Sequence, residues 1–431
     1  MSTMEKLFRL ERNGTNIRVE SLAGLTTFLA LAYITVVNPS ILSETGMDFG
    51  AVFVATCIAG AFGSIVMGLH GNYPIAQAPG MSQNAFFAFG VVLGMGHTWQ
   101  TALGAVFISG VIFVVLSVTR VREWLINGIP RNLKYGMAAG IGLFLGFIAL
   151  RNAGIIVAHD VTRVALGDIA SFESIACIIG FVTIAALSAR KVRGAVIIGI
   201  LIVAVIGWLS GNTEFNGVVS LPPSIAPVFL QLDIVAAFQL SMVTVILSML
   251  IVDVFDTAGT LVGVSTRAGL VDEHGKLPRL GKALLSDSSA TVVGALAGTS
   301  STTSYIESAA GVEAGGRTGL TAVVCGLLFF GCLFFAPLAQ SVPAYATASA
   351  LLFVACLMAR SLADIEWSDI TESAPAVIAA IAMPLSSSIA EGIGLGFISY
   401  ILIKIVSGRA SDCSPAAWVI AVIFALKYAY L

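Results

Sequence analysis

The sequence predicts an all-α polytopic membrane protein. Three observations predict it: a scarcity of charge, apolar runs of membrane length that recur along the chain, and a faint internal repeat. Of 431 residues, 57% are hydrophobic and 11% charged. Soluble domains carry about 25% charged residues, so this chain has too few to wet a folded surface, and most of that surface must face lipid. The formal net charge of −2 and the lack of any basic run give no reason to expect nucleic acid as a partner. Cysteines at 57, 177, 325, 332, 356 and 413 show no paired spacing. Five of them lie in apolar runs and so read as buried free thiols, and neither a metal nor a cofactor is expected. The opening MSTMEKLFRLERNGTNIRVE is polar and lacks the apolar stretch of a cleavable signal.

Runs of about 20 apolar residues suffice to cross a hydrocarbon layer. They occur near 22–42, 51–69, 74–93, 99–120, 130–150, 171–188, 194–210, 237–263, 281–298, 299–313, 317–338, 344–361, 372–387 and 389–406, which predicts about 14 transmembrane spans. None shows the alternation of a barrel strand. The organisation expected is a cytoplasmic N-terminus over 1–21, a first seven-span repeat over 22–210, an extracytoplasmic loop over 211–236, a second seven-span repeat over 237–406 and an apolar C-terminal segment over 407–431. Orientation follows the lysines and arginines. Lys6, Arg9, Arg12 and Arg18 precede the first span, and alternate loops carry Arg120, Arg122, Arg131 and Lys134, then Arg190, Lys191 and Arg193, then Arg267, Lys276, Arg279 and Lys282, then Arg317 and Arg360. That side is expected to be cytoplasmic.

The repeat is legible in pairs. Pro130 opens the fifth span and Pro343 the twelfth, and FESIACIIGF at 172–181 resembles TESAPAVIAA at 371–380. IAQAPGMSQNAF in the first half matches in kind ALAGTSSTTSYIESAAG in the second, each a polar, glycine-containing break followed by a half-length helix. Seven is odd, so the second repeat is inverted, with the third and tenth spans broken. Inverted repeats around broken helices are a hallmark of secondary transporters.

Few acidic residues lie inside the apolar runs: Asp253, Asp256, Asp287, Glu307, Glu313 and Glu391. A charge at the bilayer centre costs roughly 3 kcal/mol or more, so function is the first explanation for it. Asp256 lies deepest in an uninterrupted run, with Thr260 on its helical face at i+4. Glu307 follows SSTTSY, whose Tyr305 stands beside it, and heads the tenth-span half-helix. The matching first-half element supplies Gln77, Gln83 and Asn84, although an amide at 84 also suits a helix cap. Two carboxylates, amides, hydroxyls and the rings of Phe86, Phe87 and Phe255 suit a flat, neutral heteroaromatic ligand, stacked on its faces and bonded through its N–H edges. Asp253 reads equally as a bridge between helices and as functional, Asp287 as polar packing, Glu313 and Arg317 as solvated span ends, and Glu391 as part of a short turn.

At these residues the chain resembles the nucleobase–cation symporter-2 superfamily, in its adenine, guanine and hypoxanthine permease branch. AGLTTFLALAYITVVNPSIL, APGMSQNAFFAFG, VDVFDTAGTLVG, GTSSTTSYIESAAGVEAGGRTGLTAVV and MPLSSSIAEGIGLGFISY carry the resemblance, which spans nearly the whole chain. It implies core and gate domains, uptake of a purine base with a proton across the cytoplasmic membrane by an elevator-like movement, and often a homodimer. It also implies substrate-binding roles for Asp256 and Glu307, which would share the proton, completed by the third-span stretch Ala78 to Asn84. The wording is closer to guanine/hypoxanthine permeases than to adenine permeases. Xanthine or uracil permeases of the same superfamily are the near alternatives. An intramembrane aspartyl protease is a remote one, since no Gly-x-Gly-Asp setting surrounds Asp256. An anion exchanger or channel is another, and it would want a basic site where this one is acidic.

Overall fold

The structure, a computed structural model, describes residues 3–119, 128–271 and 277–430. Arg120, Arg122 and Lys276 of the orientation argument lie outside the described residues. Each of the apolar runs falls on a helix or on a strand joined to a short helix. Among the described residues nine helices are long and apolar enough to cross a membrane.

The first span is α1 (Ile17–Leu31) bent into α2 (Ile34–Ser43). Pro39 withholds one backbone N–H from α2, and the Thr35 hydroxyl bonds the Ala32 carbonyl at 2.7 Å at the bend, which leaves Tyr33 at the joint. The helix begins at Ile17, earlier than the expected 22, because the Asn16 side chain caps the Val19 N–H at 3.1 Å. Glu20 is therefore inside the bundle. It accepts from Arg317 N at 2.9 Å and from the Thr321 hydroxyl at 2.6 Å, closing the start of α12. The chain continues through α3 (Phe49–Val66), α4 (Met81–Ala85, prolonged by a π-helical turn to Val92), α5 (Trp99–Val118), α6 (Arg131–Asn152), α7 (Phe172–Ala189) and α8 (Ala195–Leu209). The second half holds α9 (Val243–Arg267), α10 (Leu280–Ala297), α11 (Ser308–Glu313), α12 (Gly319–Cys332), α13 (Ala344–Ala359), α14 (Ile370–Ser386), α15 (Ile389–Val406) and α16 (Pro415–Tyr430). Pro130 and Pro343 stand immediately before α6 and α13, the equivalent positions of the two repeats.

The helices pack into two groups. α1 to α5 and α9 to α12 contact one another, and α6 to α8 pack with α13 to α16. Outward faces are apolar. On α7, Ile175, Ile178, Ile179 and Val182 are exposed, while Ala176, Cys177, Gly180 and Ile184 are buried. Small residues inside and large aliphatic ones outside is the pattern of a helix in lipid. Of the five cysteines in apolar runs, Cys57, Cys177 and Cys325 are buried as expected, whereas Cys332 is half-buried and Cys356 is exposed; Cys413, outside those runs, is also buried.

The two broken spans meet. β1 (Gln77–Pro79) and β4 (Thr302–Ser304) form a buried antiparallel ribbon pairing Gln77 with Ser304, Ala78 with Thr303 and Pro79 with Thr302. Gly80 N donates to Ser301 O at 2.9 Å and Tyr305 N to Ala76 O at 3.0 Å, extending the ladder at both ends. A helix broken inside a membrane leaves backbone groups that only protein can satisfy, and here each break satisfies the other. A second ribbon, β2 (Ile156–His159) with β3 (Arg163–Leu166), lies in the connection between α6 and α7 and had no sequence signal of its own.

Where α12 begins against the end of the second span, backbones touch: a Cβ on Gly319 would lie 2.0 Å from the Gly68 carbonyl oxygen. Gly319→Ala is expected to destabilise the protein by about 1–3 kcal/mol, the usual cost of overpacking. Thermal unfolding in detergent checks it, and an unchanged midpoint would refute the contact.

Candidate functional site

The site grows from two rows of side chains on α9. Asp256 and Thr260, four apart, form one row, and Asp253 and Thr257 form the other. The second row faces α10, which carries the same two residue types at the same spacing, Asp287 and Thr291. The rows cross-pair: Thr257 donates to Asp287 Oδ2 at 2.6 Å, and the Thr291 hydroxyl lies within hydrogen-bond distance of Asp253 Oδ2 at 3.1 Å. Asp287 also accepts Gln77 Nε2 at 3.0 Å and the Ser304 hydroxyl at 2.7 Å on Oδ1, so it ties α9 and α10 to both strands of the ribbon. The expectation of polar packing for Asp287 describes only part of this, since it is the junction of the scaffold.

The first row faces a cavity of about 120 Å³ at the boundary between the two helix groups. Asp256 and Thr260 enter it from α9, Thr303, Ser304 and Tyr305 from β4 and its exit, Glu307 from the turn into α11, and Gly80, Met81 and Ser82 from the start of α4. Tyr33 comes from the α1–α2 bend, and Val354 and Met358 from α13 of the other group. The Tyr33 hydroxyl donates to Glu307 Oε1 at 2.8 Å, and the Ser82 hydroxyl to Asp256 Oδ2 at 3.2 Å. Tyr305 bonds the Pro79 carbonyl at 2.5 Å, which holds its ring across the ribbon's end. Each carboxylate therefore keeps lone pairs free for a ligand, and the lining residues include no lysine or arginine. A second cavity, of about 500 Å³, shares Glu307 and leads to Lys191 and Arg193 at the α7–α8 turn.

Of the residues singled out in the sequence, Asp256, Glu307, Thr260 and Tyr305 converge here. Gln83, Asn84 and Phe86 do not line the cavity. Asn84 is fully buried and accepts from the Ser300 hydroxyl, Gln83 packs under Gly80, and Phe86 covers Gly90. Successive residues of a helix turn about 100° apart, so once Ser82 faces the cavity its next neighbours point into the protein. The aromatic walls are Tyr33 and Tyr305 rather than Phe86, Phe87 or Phe255. Tyr33 was missed in the sequence. Its signal is a phenol inside the run AYITVVNPS, where a buried hydroxyl needs a partner. Tyr33→Phe removes the hydrogen bond that holds Glu307 and is expected to weaken the affinity of the cavity for its ligand roughly 5–10-fold. Titration with the ligand checks this, and an unchanged affinity would show that Glu307 is oriented by something else.

Comparison with known proteins identifies the chain. Residues 18–395 match the family model described as the permease family. The chain belongs to the nucleobase–cation symporter-2 permeases. This permease is 49% identical to the adenine permease AdeP of Escherichia coli (strain K12), over 99% of its own length and 96% of that protein's. It is 47% identical to the guanine/hypoxanthine permease PbuG of Bacillus subtilis (strain 168), covering 99% and 100% of the two chains. Among solved structures, the transmembrane domain of the cyanobacterial bicarbonate transporter BicA superposes with a TM-score of 0.64 at 14% identity, covering 87% of this chain and 97% of that one. At that identity the likeness shows the inverted-repeat fold alone. The permease is thus an integral membrane transporter of nucleobases and not an enzyme.

Proposed function

We propose that this permease takes up 6-oxopurine bases, guanine and hypoxanthine, together with protons across the cytoplasmic membrane, working as a homodimer with its N-terminus inside. The observation that carries the reading is the pair of carboxylates, Asp256 and Glu307, in one cavity with two phenols and, among the described residues that line it, no basic group. An ionised carboxylate accepts hydrogen bonds only. A 6-oxopurine offers N–H groups both on its pyrimidine edge and on its imidazole ring, one for each carboxylate. In this reading α1 to α5 and α9 to α12 form the moving core, and the other group forms the gate. The cavity that joins Glu307 to Lys191 and Arg193 is the exit to the cytoplasm, so the conformation is inward-facing. Passage of the core past Val354 and Met358 of α13 would carry the base across.

Adenine is the second reading, favoured by the 49% identity to an adenine permease. Adenine sets an acceptor nitrogen beside its amino group, so it suits a carboxyl that itself donates a proton. Uptake of radiolabelled hypoxanthine, guanine, adenine, xanthine and uracil into cells lacking their own permeases separates the readings. Competition by hypoxanthine and guanine but not adenine supports the first, and the reverse supports the second. Equal inhibition by uracil and hypoxanthine refutes both, because a hydrogen-bonding site rejects analogues that leave its polar groups unpaired.

A further inference from the structure

We infer that Asp253 holds a standing proton and, as a neutral acid, positions the strand that lines the base cavity. Thr291 has one hydroxyl hydrogen and two acceptors within reach, the Thr302 carbonyl at 2.9 Å and Asp253 Oδ2 at 3.1 Å. If Asp253 were ionised, one hydrogen would serve two acceptors, and the unpartnered, fully buried Oδ1 would share a full negative charge, whereas in the neutral acid it is an uncharged carbonyl oxygen, which costs less to leave unpaired. If Asp253 carries a proton, the chain closes: Asp253 donates to Thr291, and Thr291 donates to Thr302. Asp287 is the contrast. It faces three donors, Gln77, Ser304 and Thr257, each with a hydrogen to give, which is the shell of an ionised carboxylate. The cross-paired rows of α9 and α10 thus hold one neutral and one ionised aspartate.

The relay ends on the backbone of Thr302, whose strand neighbours Thr303 and Ser304 line the cavity. Asp253 therefore acts on the ligand through the position of β4. The ionisable groups facing it are Asp256 on its own helix and Asp287 on α10. Neither α5 along Trp99–Val118 nor residues 298–304 contributes an ionisable side chain. Among the described residues no cation pairs with Asp253. A proton sealed here is part of the scaffold and distinct from the one proposed to travel with the base.

The inference rests on the reading of the cavity as the base site, and the test separates the two. Asp253→Asn, Asp253→Ala, Thr291→Ser and Thr291→Val are compared with wild type for uptake KM, pH profile and melting in detergent, at matched amounts in the membrane. An asparagine amide repeats the donation to Thr291. Asp253→Asn and Thr291→Ser should therefore keep KM within about twofold, with the pH profile and melting of wild type. Asp253→Ala and Thr291→Val should raise KM about tenfold and melt earlier. Two results overturn the inference: an Asp253→Asn variant as impaired as Asp253→Ala or shifted in pH profile, or an Asp253→Ala variant with wild-type KM and melting. If wild type takes up no nucleobase, the reading of the cavity falls, while the melting comparison still decides the proton.

Discussion

Glu307→Gln is expected to raise the concentration of base needed for half-maximal uptake by roughly 10–100-fold, the worth of a hydrogen bond to a charged group. The carboxylate is held by Tyr33 on one oxygen and is open to the cavity on the other. Glutamine keeps the shape but must present either a carbonyl, which accepts more weakly than a carboxylate, or an amino group, which meets the base N–H donor to donor. The Tyr33 bond survives through the amide oxygen, so the variant should reach the membrane in normal amount. Uptake and competition with unlabelled base, corrected for protein in the membrane, measure the effect. A KM within twofold of wild type would exclude Glu307 from direct contact with the ligand.

Asp256→Asn is expected to abolish accumulation against a gradient while leaving exchange of base across the membrane. Purine bases are neutral near pH 7, so the membrane potential alone cannot concentrate them, and the proposed function supplies the driving force with a co-transported proton. Asp256 sits on α9 inside the cavity, with Ser82 its only hydrogen-bond donor among the described residues. It can take a proton when the cavity faces outside and lose it when the cavity faces the cytoplasm. Asparagine mimics the protonated form permanently, so the loaded core can still cross, but no proton is released. Wild-type uptake should rise as the outer medium is made more acid and collapse with a protonophore, and the variant should respond to neither. Asp256→Asn vesicles that still concentrate base under an imposed pH gradient would move the coupling role to Glu307. Accumulation by wild type that survives the protonophore and follows sodium would remove the proton altogether.

The sequence carried the fold further than it carried the site. Charge scarcity and run length give the all-helical membrane class, and Pro130 and Pro343 stand before matching helices, because lipid leaves the chain few alternatives. Asp256 and Glu307 stood out for the same reason: an acid in an apolar run is costly enough to need an explanation. Tyr33 did not, since a tyrosine in a span is ordinary until its partner, 274 positions away, is known. Gln83 and Asn84 were drawn in by their polarity, but they lie buried on the far side of a short helix, where Asn84 Oδ1 meets the Ser300 hydroxyl while the Gln83 amide and Asn84 Nδ2 find no hydrogen-bond partner among the described residues. The pairing of β1 with β4 was also out of reach. Each strand is three residues long, and neither carries an alternating pattern against which a register could be read.

That ribbon has a consequence for how the protein is made. Gln77 and Ser304 are bonded across 227 positions of chain. At synthesis rates of about 5–20 residues per second, the first strand waits roughly 10–45 s for its partner to emerge. Ser64 of the second span already bonds the Gln77 N–H and C=O, but through that interval the Ala76 carbonyl, the Gly80 N–H and the Gln77 side chain, whose partners lie in the second half, must be sheltered by the insertion machinery or by water. The first repeat should therefore be a dependent fragment, short-lived when produced by itself and rescued when the second is supplied alongside. Closure of so distant a contact is also intrinsically slow. The last event in biogenesis would then be the meeting of the two broken spans, which completes the binding cavity in the same step.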